Sequence, residues 1–146
     1  QGVPVIDIDY SSMEKGVRKG AYIVKNCEGS PEIIFMATGS EVSLALATAK
    51  KITDKKVRVI SMPCLELFDE QSDDYKIGLI PKRGCLKVSI EAGVTHGWTK
   101  YTGSSGLAIG LDHYGASAPA QELAIEFGFT AEAIEAKVRD HITKLL

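Results

Sequence analysis

The sequence is short of the features that would tie it to a specialised environment. Its cysteines, Cys27, Cys64 and Cys85, are an odd number at long separations with no Cys-x-x-Cys pair. That excludes a disulfide framework or zinc ribbon and fits a reducing, cytosolic setting. No apolar run approaches the ~18 residues that suggest a membrane span, and the start lacks a basic-then-apolar signal pattern. Basic excess is also missing: 17 Lys and Arg stand against 19 Asp and Glu. No field draws the chain onto nucleic acid or anionic lipid, and neither partner is expected. His96, His113 and His141 are the only histidines, and none has a partner at a recognisable nucleophile or metal spacing, so no metal ligand is assigned.

What is present describes an ordinary folded domain. A chain of 146 residues fits one domain, which buries roughly 68–70% of its unfolded surface. It opens Gln1-Gly2-Val3-Pro4 and not on Met, which reads as a piece cut from something longer or as a processed terminus. Residues 1–20, with Pro4, Ser11-Ser12, Gly16 and Gly20, read as an incoming linker, and residues 21–146 as the domain.

The periodicity alternates between strand and helix. Ala21 to Val24 is short and β-prone, Asn26 to Pro31 is turn chemistry, and Glu32 to Ala37 is a continuous apolar strand; so short a connection suggests an antiparallel pair. Thr38-Gly39-Ser40-Glu41 has capping-box spacing, so a helix is expected from there. Val42, Ala45, Leu46, Ala49 and Ile52 form its apolar stripe. Val57 to Met62 is the next strand and closes a parallel βαβ unit, ended by Pro63. A short acidic helix is expected from Asp69 towards Ile77, then a strand at Leu86 to Ile90 with Glu91 at its carboxyl end. A Gly-, Thr- and Ser-rich stretch runs from Ala92 to Gly115, with one strand, Leu107 to Leu111, inside it. Pro119 opens a helix that Gly128 ends, and Thr130 caps a last helix whose Ile134, Val138, Ile142 and Leu145 make a docking face.

Few residues suggest chemistry. The Thr38-Gly39-Ser40 turn, with Glu41, sits where exposed helix N–H groups can hold an anion; the other reading is a capped helix start. One glycine there does not make a dinucleotide fingerprint or a P-loop. Glu91, His96 and Asp112 could form a small proton-transfer site on a strand-end loop, although nothing in their spacing fixes a mutual geometry. Cys64 follows Met62-Pro63 without a basic neighbour and reads as a small hydrophobe.

Six blocks taken together carry a resemblance. Ala37-Thr38-Gly39-Ser40-Glu41-Val42, Val59-Ile60-Ser61-Met62-Pro63, Leu67-Phe68-Asp69 with Gln71 and Tyr75, Ser89-Ile90-Glu91-Ala92-Gly93, Trp98-x-Lys100-Tyr101 and Gly115-Ala116-Ser117-Ala118-Pro119, closed by Phe127-Gly128-Phe129-Thr130, run in order over nearly the whole chain. They resemble the C-terminal domain of the transketolases. The resemblance implies an α/β fold, a three-layer α/β/α arrangement around a mixed, mostly parallel five-stranded sheet. It implies a parent enzyme that moves two-carbon ketol units between ketose and aldose phosphates in the pentose phosphate and Calvin pathways. That enzyme uses thiamine diphosphate and a divalent metal, Mg2+ or Ca2+, as a homodimer, in the cytoplasm or a plastid.

In that family the preceding domains hold the cofactor and most substrate contacts. This chain has no Gly-Asp-Gly with a downstream Asn, so no catalytic, cofactor-binding or metal-binding residue is carried over. The isolated chain is expected to be inactive, with a structural or regulatory role; the competing reading is a phosphate- or nucleotide-binding module built on Thr38 to Glu41. Its partners would be the preceding domains and a second subunit. Trp98, Tyr101, Ser104 and Ser105, with Gly106, are the candidates for that interface, which exposed aromatic area would support and full burial would overturn.

Overall fold

The computed structural model describes residues 10–92, 96–110 and 129–146. Its elements are α1 (Tyr10–Arg18), β1 (Tyr22–Lys25), β2 (Ile33–Ala37), α2 (Glu41–Lys51), β3 (Val57–Ser61), α3 (Leu65–Asp69), α4 (Asp73–Leu79), β4 (Leu86–Glu91), a 3-10 turn (His96–Trp98), α5 (Thr99–Thr102), β5 (Leu107–Gly110) and α6 (Ala131–Leu145). The helix expected from Pro119 lies outside the described residues, as do His113 and Asp112.

The strands form one sheet of order β1-β3-β2-β4-β5. β2 runs parallel to both β3 and β4, and β4 parallel to β5. β2 and β3 are buried at every position, as expected of strands covered on both faces. Alternate side chains of β2 go to opposite layers. Ile33, Phe35 and Ala37 meet Val42, Ala45, Ala49 and Ile52 of α2 together with Ile134 and Val138 of α6. Ile34 and Met36 join Phe68, Leu79, Trp98 and Tyr101 from the helices of the other face. This is the three-layer α/β/α arrangement with a mixed, mostly parallel sheet.

Four local expectations are corrected. β1 is antiparallel to β3, pairing Tyr22 with Ser61 and Ile23 with Ile60, and not to its sequence neighbour β2. Both edges of β2 are already taken by parallel partners, so β1 closes the open side of β3. The stretch read as linker holds a helix, α1, from residue 10 onward. Its Gly16 touches the Tyr22 side chain so closely that a Cβ would lie 2.2 Å from the tyrosine Cβ. The single acidic helix is two, α3 and α4, because Ser72 caps α4 by accepting from the Tyr75 N–H at 3.2 Å. Finally, Leu145, expected on the docking face of the last helix, is 51% exposed, whereas Thr130 does cap that helix, its hydroxyl accepting from the Ala133 N–H at 3.2 Å.

Candidate functional site

The connection from β2 through α2 leads to β3 on one side, and the chain then crosses through α3 and α4 to β4 on the other side of β2. The strand order therefore reverses between β2 and β4, and the crevice at their carboxyl ends is where open α/β sheets usually place a ligand. Thr38 follows β2 and Glu91 ends β4, so the register of Ala37 beside Ile90 brings them together. The Thr38 hydroxyl donates to Glu91 Oε2 at 3.2 Å.

This bond replaces the capping box expected from Thr38 and Glu41. Ser40 stands at the N-cap position but makes no side-chain cap bond; its hydroxyl donates instead to Glu41 Oε2 at 2.9 Å. The Glu41 and Val42 N–H groups turn back onto the carbonyls of Thr38 and Gly39 at 3.1 and 3.2 Å. Gly39 permits this tight entry with φ of +57°.

The electrostatics oppose an anion. Burial pushes the Glu41 carboxyl above its ordinary value; the Ser40 hydroxyl works against that and the charge of nearby Glu91 adds to it. The Thr38-Gly39-Ser40 turn, one reading of which is an anion cradle and the other a capped helix start, thus faces two carboxylates, and the first two N–H groups of α2 are already engaged. This geometry does not support phosphate or nucleotide capture there. The Glu41–Glu91 proximity was missed in the sequence, where only knowledge that β2 and β4 are neighbours could have revealed it.

Of the trio Glu91, His96 and Asp112, only the Glu91 side chain lies within the described residues. Glu91 is committed to Thr38, His96 opens the 3-10 turn with its side chain outside the description, and Asp112 is outside it altogether. Cys64 is half-buried, and its thiol donates to Glu66 Oε1 at 3.6 Å. Among the described residues no group of three or more His, Cys, Asp and Glu side chains could hold a metal ion.

The interface candidates divide. Trp98 and Tyr101 are only 4% and 8% exposed, which overturns them as an exposed aromatic face. Their rings lie 6.0 Å apart at 64°, and Tyr101 also packs 6.1 Å from Phe68, a spacing typical of aromatic clusters. Tyr101 Oη donates to Asp69 Oδ1 at 2.8 Å, and Lys100 Nζ reaches Asp69 Oδ2 at 2.7 Å. Burial works to raise the Asp69 carboxyl, but these two partners and the charges of Lys100 and Lys76 outweigh it and hold Asp69 below its ordinary value. Burial and then Asp69 push the Tyr101 phenol well above the ordinary tyrosine range. Ser104 and Ser105 are exposed on the loop before β5.

Comparison with known proteins agrees with this architecture. Residues 20–130 match the family described as the transketolase-like TK C-terminal domain. The transketolase of Aquifex aeolicus is 45% identical over 141 residues, 94% of this chain and 20% of the relative. Transketolase 1 of Escherichia coli is 44% identical over 126 residues, 85% of this chain and 19% of the relative. The solved transketolase of Leishmania mexicana superposes with a TM-score of 0.80 at 42% identity, over 89% of this chain and 19% of that one. The chain thus spans about a fifth of the length of the relatives it matches. With its reversed-order mixed sheet, two covering layers and this match through most of its length, the chain belongs to the transketolase family, as its C-terminal domain.

Proposed function

We propose that this domain is the non-catalytic third part of an enzyme that transfers two-carbon ketol units between ketose and aldose phosphates with thiamine diphosphate and a divalent metal, Mg2+ or Ca2+. The observation that carries the reading is the match at 45% identity to one fifth of a full-length transketolase. The cofactor does not fit the site at the sheet's carboxyl end. Two carboxylates beside Thr38 repel a diphosphate, and Glu41 and Glu91 alone are too few donors for a divalent ion. Thiamine diphosphate is therefore assigned to the parent's preceding domains, and sugar phosphates to the same place.

The role left to this chain is to pack against those domains and against a second subunit of a cytoplasmic or plastid homodimer. A graft tests the reading. Replacing the corresponding segment of the Escherichia coli relative with this chain is expected to restore ketol transfer that the truncated enzyme lacks. The 146-residue chain alone, given both cofactors and a ketose/aldose phosphate pair, is expected to show no turnover. Turnover abolished by His96→Ala would overturn the proposal.

A further inference from the structure

At the opposite end of the sheet, where β2, β4 and β5 begin, lies a groove of about 550 Å³. That volume is within the 300–1,000 Å³ usual for small-molecule sites. We propose that this groove binds a small organic phosphate, with Lys55, Lys82 and Lys87 on the anion and the Ser104-Ser105 turn beside them.

The groove combines an apolar floor with a net positive rim. Ile33, Leu86 and Ile142 contribute apolar lining. Lys55, Lys82 and Lys87 line it as well, and among the described residues none of them lies within ion-pair distance of a carboxylate. The adjoining depression shares Lys82 and Lys87, but its own Lys76 and Lys100 are paired with Asp73 and Asp69. Glu32 is the single acidic side chain of the groove lining, and its Oε1 is engaged by the Lys56 N–H at 2.9 Å.

One ammonium and the serine turn are held in place before any ligand arrives. Lys87 Nζ donates to the Lys82 carbonyl at 3.1 Å, which ties its ammonium to the Lys82 segment and leaves further N–H groups to donate. The turn from Gly103 to Gly106 closes through the Gly106 N–H on the Gly103 carbonyl at 3.3 Å. His141 of α6 fixes the turn from behind, its Nε2 donating to the Ser105 carbonyl at 2.8 Å. The exposed Ser104 and Ser105 hydroxyls have no partner among the described residues. Lysine binds phosphate as a compact point charge, and a dianion answers three ammonium groups better than a monoanion does. The apolar floor calls for a carbon body on that phosphate.

The test is a titration of the 15N-labelled 146-residue chain with phenyl phosphate, inorganic phosphate and sodium chloride at matched ionic strength. Phenyl phosphate is expected to shift the Ser104, Ser105 and Gly106 amides saturably and to bind more tightly than inorganic phosphate, which lacks the body. The Lys82→Gln/Lys87→Gln pair is expected to weaken binding by about tenfold or more, the equivalent of ~1.4 kcal/mol. Lys55→Gln weakens it as well, with resonances elsewhere unchanged. Equal responses to chloride, shifts centred on Thr38 to Val42 instead, or binding untouched by the lysine variants would overturn the proposal.

Discussion

Arg58 Nη1 donates to the Leu79 carbonyl at 2.8 Å, and the same nitrogen reaches the Gly78 carbonyl at 3.0 Å. Arg58 is buried in β3, and its Nε donates to Asn26 Oδ1 at 2.9 Å. This buried guanidinium, with no carboxylate partner among the described residues, is stabilised by the carbonyl end of α4, the negative pole of that helix. The link ties β3 to α4 and to the turn after β1. Arg58→Met strands these acceptors and is expected to lower the unfolding free energy by about 2–4 kcal/mol in urea denaturation. Arg58→Lys recovers only part of it, because one ammonium cannot reproduce the planar fork.

Gly20 and Gly39 both have positive φ, +88° and +57°, yet their surroundings differ. A Cβ on Gly20 would lie 2.3 Å from the Cys64 carbonyl and 2.4 Å from the Phe68 nitrogen, whereas one on Gly39 meets nothing within 4 Å. Gly39→Ala therefore costs only the left-handed backbone strain, about 1 kcal/mol. Gly20→Ala adds a clash with backbone and is expected to cost on the order of 3 kcal/mol. Paired thermal melts of the two variants distinguish these cases; equal losses would contradict the packing of Gly20 on α3.

Asp69 makes stability depend on acid. Its folded-state pKa is below the ordinary 3.8, so the unfolded chain binds the proton more tightly. Its contribution is present above that value and is lost as pH falls through the depressed folded pKa. Asp69→Asn is expected to be less stable than the parent at pH 7, with the gap persisting through pH 4 and closing only in stronger acid. Chemical denaturation at several pH values reads this directly.

Glu41 acts in the opposite sense. Its folded-state pKa is raised above the ordinary 4.5, so its favourable effect is present in acid and is lost as pH rises through the folded value. At neutral pH the Glu41 charge, stripped of water by burial and then opposed by Glu91, is a burden. Glu41→Gln is expected to stabilise the domain at pH 7 by less than about 1 kcal/mol, as suits a half-exposed charge. The gain disappears below pH 4, and a variant destabilised at pH 7 would refute the repulsion.

The parts of this fold legible in the sequence are those where one local pattern decides the outcome. Of the stripe Val42, Ala45, Leu46, Ala49 and Ile52, the first two and Ala49 are buried in α2, Ile52 is buried at its carboxyl end and Leu46 is partly buried against the core, and Thr130 with Ile134 and Val138 marks the start and inner face of α6. Elsewhere a distant residue competes with the local signal. Thr38 has the spacing of a capping residue, but Glu91, 53 positions away, takes its hydroxyl. Trp98 and Tyr101 sit in a glycine-rich stretch that looks exposed, and they are buried by a cluster drawn from distant elements, Ile34 and Met36 of β2 and Phe68 of α3 among them. The β-prone segment Ala21 to Val24 is legible as a strand, one residue early, but not as a partner for β3, because hairpin proximity is a local cue and a vacant sheet edge is not. α1 has a polar, glycine-containing sequence and is held as a helix by Gly16 lying flat on Tyr22.

The antiparallel placement of β1 also determines how the domain answers to mechanical load. Among the described residues β1 pairs with β3 alone, and it leads directly from α1. Tension entering from the amino side reaches this edge strand before it reaches the parallel strands behind it. A short strand with one paired edge opens more readily than one held on both sides. β1 can therefore peel from β3 while β2, β3 and β4 stay assembled, so strain from a neighbouring part of the polypeptide would be dissipated at Tyr22 and Ile23 before it disturbed the central sheet.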